Sequence, residues 1–134
     1  MSTHSLWVFL PVGYLVTVLI ETPVLIVGLS SQHSLGRKIG ASLWLNACSY
    51  PVVILVLPIV LAGAPSWVYI AVAETFAPVS ECLLFVAAFY DRASLWRREM
   101  WRDVGAVTAA NLASFLIGEL LISLGVFARF FGPS

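Results

Sequence analysis

Residues 40–50 read GASLWLNACSY and residues 105–115 read GAVTAANLASF, so Gly, Ala, Asn, Ser and an aromatic ring recur at the same spacing. Each stretch opens a long apolar run just after a basic segment. Before each basic segment lies another apolar run that carries a glutamate, Glu21 in the first case and Glu81 in the second. Self-similarity on this scale marks a repeated unit, and the unit is a helical hairpin, because each run is long enough to cross a bilayer as a helix. A two-helix unit leaves the membrane on the side where it entered. The repeat is therefore parallel, and it predicts a pseudo-two-fold axis along the membrane normal.

The apolar runs extend over Leu6 to Leu29, Ile39 to Ala62, Trp67 to Tyr90 and Val104 to Phe127. Each holds about 20 residues or more, and at about 1.5 Å per residue that covers a hydrocarbon core of about 30 Å. A soluble domain carries about 25 % charged residues; here only 10 % are charged and 60 % are hydrophobic, so lipid must solvate most of the surface. The expected fold is an all-α integral membrane protein of four transmembrane helices, a single membrane domain over 1–134 with one hairpin at 6–62 and the other at 67–127. Little chain remains for a soluble domain. The first run lacks a basic n-region, contains Glu21 and is followed by no small-residue cleavage pattern, so it reads as a retained span rather than a secretory signal.

Charge is distributed unevenly. Arg37 and Lys38 lie between the first two runs, Arg92, Arg97, Arg98 and Arg102 between the last two, and only Arg129 lies elsewhere. The positive-inside rule puts those two loops in the cytoplasm and the uncharged turn from Gly63 to Ser66 outside, with both termini outside as well. The expected location is a bacterial cytoplasmic membrane. The longer basic loop, taken as Asp91 to Asp103, sets Leu95, Trp96, Met100 and Trp101 among its arginines, which suits a segment at headgroup level. Arg37, Lys38, Arg92, Trp96, Arg97, Arg98, Trp101 and Arg102 form the candidate cytoplasmic interface, for a partner subunit or for anionic lipid.

Glu21, Glu74, Glu81 and Glu119 all fall within spans, with no Lys or Arg at comparable depth. Ionisable groups in hydrocarbon cost a few kcal/mol each on insertion scales and so face a bundle interior. Counted along the helices, Glu21 and Glu81 lie about 12 to 14 Å from the cytoplasmic ends, and Asn46 and Asn111 about 10 to 11 Å. These four share one layer, and Ser49 and Ser114 follow about one turn deeper. An oxygen-rich layer free of histidine suits a proton or a hard cation better than zinc or copper. The same groups serve equally as packing glue, with a protonated Glu donating to Asn, and a bound pigment or lipid is a third occupant. Glu74 shares a helical face with Glu81, and with Glu119 it would extend a polar track toward the outside.

Further features bear on packing. Pro23, Pro51 and Pro78 each free a carbonyl four residues earlier, those of Leu19, Ala47 and Glu74, which neighbouring groups in membrane helices usually re-satisfy. Ala106, Ala110, Ser114 and Gly118 form a small-residue seam with an unassigned partner helix. Cys48 and Cys82, both inside spans, read as buried packing thiols and form no CxxC motif.

His4 and His33 lie outside the spans, so no haem is expected, and the chain shows no phosphate-binding loop, zinc motif or nucleophile elbow. No enzyme and no nucleic-acid partner is therefore expected. The four-helix plan with Glu21 in the first span resembles the small multidrug resistance transporters. Four intramembrane glutamates, the duplicated Asn motif and the strong charge bias depart from that family, and membership does not follow. The residues leave two functions open. One is a non-enzymatic packing or docking subunit of a larger membrane complex, in contact with other membrane subunits or with copies of itself. The alternative is a proton- or cation-coupled small transporter or channel that uses the intramembrane glutamates.

Overall fold

Hydrocarbon offers a backbone no partner but itself, and a long apolar run meets that demand as a helix. The computed structural model, which describes residues 3–131, is helical throughout: α1 (Thr3–Gly28), α2 (Leu35–Pro51), α3 (Leu57–Val60), α4 (Ser66–Phe89), α5 (Arg98–Ser123) and α6 (Val126–Phe131). Among the described residues four helical stretches are long and apolar enough to cross a membrane: Trp7–Gly28, Leu35–Val60, Ser66–Phe89 and Arg98–Ser123.

The second stretch is not one regular helix. Pro51 has no amide hydrogen to donate to Ala47, and the ladder slips into a π-helical turn, Val52–Val56, before α3 resumes. The Tyr69 hydroxyl, from α4, donates to the Val53 carbonyl at 2.9 Å. Pro23 and Pro78, by contrast, lie within the unbroken α1 and α4.

Three sequence boundaries move. Ser34 caps α2, its hydroxyl accepting from the Arg37 amide at 3.2 Å, so Arg37 and Lys38 sit in the first turn of a helix rather than in a loop. The Asp91 to Asp103 loop is shorter than expected, because α5 already starts at Arg98 with Glu99 in its positive first turn and Met100 buried. The fourth span stops at Ser123, short of Phe127, where Gly125 at φ 67° turns the chain into α6.

The four long helices form a ring in the order α1, α2, α4, α5: α1 packs on α2 and α5, and α4 packs on the same two. The helices that carry Glu21 and Glu81 thus stand on one diagonal, and those that carry Asn46 and Asn111 on the other. The contact between α1 and α5 is close. A β-carbon on Gly28 would lie 2.9 Å from that of Ala106, so the small-residue seam of α5 has α1 as its partner, with Ala106 and Ala110 buried and Gly118 facing open space.

The apolar core, built from Leu25, Leu29, Ala41, Leu45, Phe85, Ala106, Val107 and Ala110, fills the half of the bundle toward the basic ends. Leu19, Val27 and Leu83 stand on the outer faces, 73 %, 79 % and 67 % exposed, as an apolar solvent would allow. Cys48 also faces outward and Cys82 is only half buried, so the thiols are not the core residues expected. Cys48 is two positions from the inward Asn46, about 200° round the helix, which turns it away from the interior.

Candidate functional site

Asparagine in a helix has two amide hydrogens to place, and here each asparagine splits them the same way. Asn46 gives one to the Ser42 carbonyl, one turn back, at 3.0 Å and the other to Glu21 Oε2 at 2.8 Å. Asn111 gives one to the Val107 carbonyl at 3.0 Å and the other to Glu81 Oε2 at 2.8 Å. The bond back to its own helix fixes each amide so that the second hydrogen points into the bundle.

The serines then cross over. Ser114 Oγ, on α5, lies 2.7 Å from Glu21 Oε1 on α1, and Ser49 Oγ, on α2, lies 2.5 Å from Glu81 Oε1 on α4. Each carboxylate is therefore held by the Asn of the helix that follows it in the chain and by the Ser of the other helix pair. Glu21, Asn46, Ser49, Glu81 and Asn111 are buried and Ser114 partly buried. Among the described residues the only ion pair is His33 with Asp103, so no basic side chain neutralises Glu21 or Glu81.

A cavity of about 270 Å³ opens on this layer from the side away from the basic ends, with Glu21 and Glu81 at one end and Glu74, Glu119, Tyr50 and Tyr69 along its walls. The structure thus brings together all eight residues assigned to the polar layer and its outward track. Among the described residues no three His, Cys, Asp or Glu side chains converge as a metal-ligand group. A cation here would take a mixed set of carboxylate, carboxamide and hydroxyl oxygens.

A second polar cluster, not anticipated from the sequence, lies beyond the apolar core at the basic end. Asp103, fully buried, accepts from the Ser30 amide at 2.6 Å and the Ser30 hydroxyl at 3.1 Å. His33 Nε2 stands 2.7 Å from its Oδ2, and the Tyr90 hydroxyl donates to the same oxygen. Gln32 in turn donates to Tyr90 at 2.9 Å. The His33 ring meets Phe85, Phe89 and Tyr90 edge-on, and its Nδ1 is buried without a hydrogen-bond partner. His33 lies between α1 and α2, as its position outside the runs implied, but in the interior rather than in solvent. Asp103 does carry one faint sequence signal: in the alignment of Gly40 with Gly105 it falls opposite Lys38.

The eight residues of the expected cytoplasmic interface do not form one surface. Lys38 turns inward to the carbonyls of Ile26 and Leu29 at 3.1 and 3.2 Å, Arg102 donates to the Gly28 carbonyl at 3.2 Å, and Arg37 lies over the Phe89 ring at 5.5 Å. Lys38 and Arg102 thus cap the C-terminal end of α1, where helix carbonyls lack partners and favour cations, while Arg37 sits at the end of α4. Arg92, Trp96, Arg97, Arg98 and Trp101 point outward, the two indoles packed at 5.5 Å. In the loop, the Ser94 hydroxyl and amide hydrogen-bond Asp91 and hold its carboxyl below the usual carboxylate range.

Compared with protein-family models, with curated proteins and with solved structures, the chain matches none.

Proposed function

We propose that this is a small, non-enzymatic integral membrane protein that takes up a proton or a small cation at the Glu21–Glu81 pair and transports it. The pair itself carries the proposal: two carboxylates, 1 % and 2 % exposed, have a donor on every oxygen and no basic partner. Ionised together they would leave uncompensated charge in the interior, at several kcal/mol per ion. A bound proton or cation removes that charge. The cavity gives the ion an approach, and Glu74 and Glu119 on its wall attract cations toward it.

The hydrogen bonds favour Glu21 as the proton carrier. An Asn amide group can only donate, so a proton added to either carboxyl must point at its serine, which must then turn its own hydrogen elsewhere. Ser114 has an acceptor in place, the Asn111 carbonyl at 2.9 Å, whereas the partner of Ser49 is Glu81 itself. Glu81 is then the member that stays charged or holds the cation.

In this reading the chain lies in a bacterial cytoplasmic membrane with its basic ends inside and its termini outside, so the cavity faces outward. The two hairpins are copies of one ancestral unit. The crosswise exchange of Asn and Ser donors and the alternation of Glu and Asn helices round the ring both support a parallel repeat.

The test is the melting temperature of detergent-solubilised protein against pH and against sodium, magnesium, calcium and manganese. The ion that belongs to the site stabilises the wild type by mass action, by about 2.7 kcal/mol at a hundredfold excess over Kd. Glu21→Gln abolishes a proton-dependent shift and Glu81→Gln a cation-dependent one. A wild type indifferent to every condition, with both variants equally stable, would sink the ion-site reading.

One observation favours the second reading, a docking subunit. Gly40 and Gly105, the glycines that open the two matching stretches, face open space in the isolated chain, as a helix interface with another subunit would require. Gly40→Leu and Gly105→Leu should then release a partner or dissociate an oligomer. Unchanged gel-filtration profiles would dismiss it.

A further inference from the structure

The Asp103 cluster stands apart from the proposed ion site, separated from it by the apolar core. Asp103 fastens three elements at the basic end: the segment after α1 through Ser30 and His33, the end of α4 through Tyr90, and its own helix α5. Beside it, Lys38 of α2 and Arg102 of α5 hold carbonyls at the end of α1. All four long helices are tied together at this end by polar side chains. At the other end of the core they part around the cavity.

We infer that Asp103, with His33 and Tyr90, is a latch that closes the ion site toward the basic loops, and that releasing it opens the apolar core to that side. The inference rests on the ion-site reading and adds the gate to it. Three features suit a latch that opens. The tie is concentrated on one carboxylate, so a single change there loosens three elements at once. His33 gives up only one strong hydrogen bond on leaving, since its Nδ1 has no partner to lose. There is also room beside it: His33 and Tyr90 line a second cavity of about 120 Å³ on the outer side of the cluster, with Arg37 and Ser94.

Between latch and ion pair the helices meet through Leu25, Leu45, Phe85 and Val107. Apolar side chains of this kind interdigitate and hold the helices in one of a few discrete packings. Packed helices slide past one another in small steps when the polar ties at their ends change, and shear closure works in this way.

The experiment measures access from each side of the core. In full-length chain with Cys48 and Cys82 replaced by Ala, a thiol is introduced singly at Val107, in the core, or at Ala77, on the cavity wall. Membrane vesicles of both orientations are treated with an impermeant maleimide. With the latch intact, the Val107→Cys thiol reacts slowly from the basic-loop side and the Ala77→Cys thiol reacts from the opposite side. In Asp103→Asn the Val107→Cys thiol should react at least tenfold faster from the basic-loop side, and the Ala77→Cys thiol more slowly.

Tyr90→Phe removes one donor, keeps the ring and should give an intermediate rate even if Asp103→Asn folds poorly. A general loosening would raise both rates from both sides, and that result overturns the latch, as does an unchanged Val107→Cys rate in both variants. The ion reading is judged separately, from the cation- and pH-dependence of melting in the unlatched and parent proteins. A gate that opens in a protein indifferent to every ion would leave the latch standing and remove the ion site.

Discussion

At the scale of the residue, the chain commits its few intramembrane polar groups to specific partners. Asn46 and Asn111 each bridge their own helix and a carboxylate on a neighbour. Replacing either with Leu strips one oxygen of a buried carboxylate of its donor, at a cost of about 1 to 3 kcal/mol or more. Denaturation by a chaotropic detergent should show Asn46→Leu and Asn111→Leu weakened by similar amounts, and a large difference between them would contradict their equivalent roles. The cost of Glu to Gln should differ instead. Glu21→Gln can donate to Ser114, which passes its hydrogen to Asn111, and should leave stability nearly unchanged; Glu81→Gln leaves the Ser49 hydrogen to find a new acceptor and should be the more damaging of the two. That Glu21, Asn46, Glu81 and Asn111 share one layer was legible in the sequence from their equal depth, but which Asn holds which Glu was not, since each glutamate helix has both asparagine helices as neighbours. The crosswise role of the serines was not, since it depends on which helices are neighbours. The meeting of Asp103 and His33 was hidden for a different reason: each lies outside the apolar runs, and only the ends of the helices packed together enclose them.

At the scale of the element, glycine separates contact from free surface. Gly28 meets Ala106 so closely that Gly28→Ala should cost about 1 to 3 kcal/mol by overpacking α1 against α5. Gly118, on the same seam as Ala106, faces open space, and Gly118→Ala should be tolerated without loss. A comparison of the two melting temperatures checks the close contact of α1 with α5. Gly13 makes room for the Tyr50 ring, and a methyl group there would meet its hydroxyl. The existence of four long helices was plain from the apolar runs, but their ends were not. Hydropathy registers lipid contact, whereas Ser34 and Gly125 end helices through a capping hydroxyl and a left-handed backbone. Proline content did not tell Pro51, after which the ladder slips, from Pro23 and Pro78, around which it continues. Trp96, at φ 66°, occupies a conformation costly for a large side chain, in the segment that the arginines had already marked as an interface.

At the scale of the whole molecule, the two ends differ. One is tied by Asp103, Lys38 and Arg102, and the other opens on the glutamate pair. The orientation proposed from the arginines has a direct test. With Cys48 and Cys82 replaced, a thiol at Ser34 or Ser94 should be shielded from an impermeant reagent in intact cells and one at Ser66 labelled, and the reverse pattern would invert the protein in the membrane. The apolar core also has an electrical consequence. In the proposed orientation, water that fills the cavity would carry the outside potential down to Glu21 and Glu81, so most of the transmembrane voltage would fall across the roughly 12 Å of core between Asn111 and Asp103. Loading an ion from outside would then be nearly indifferent to membrane potential. Passage across the core would instead take up most of the electrical work, about 2.3 kcal/mol per charge for each 100 mV, making that step the one a voltage clamp could drive in either direction.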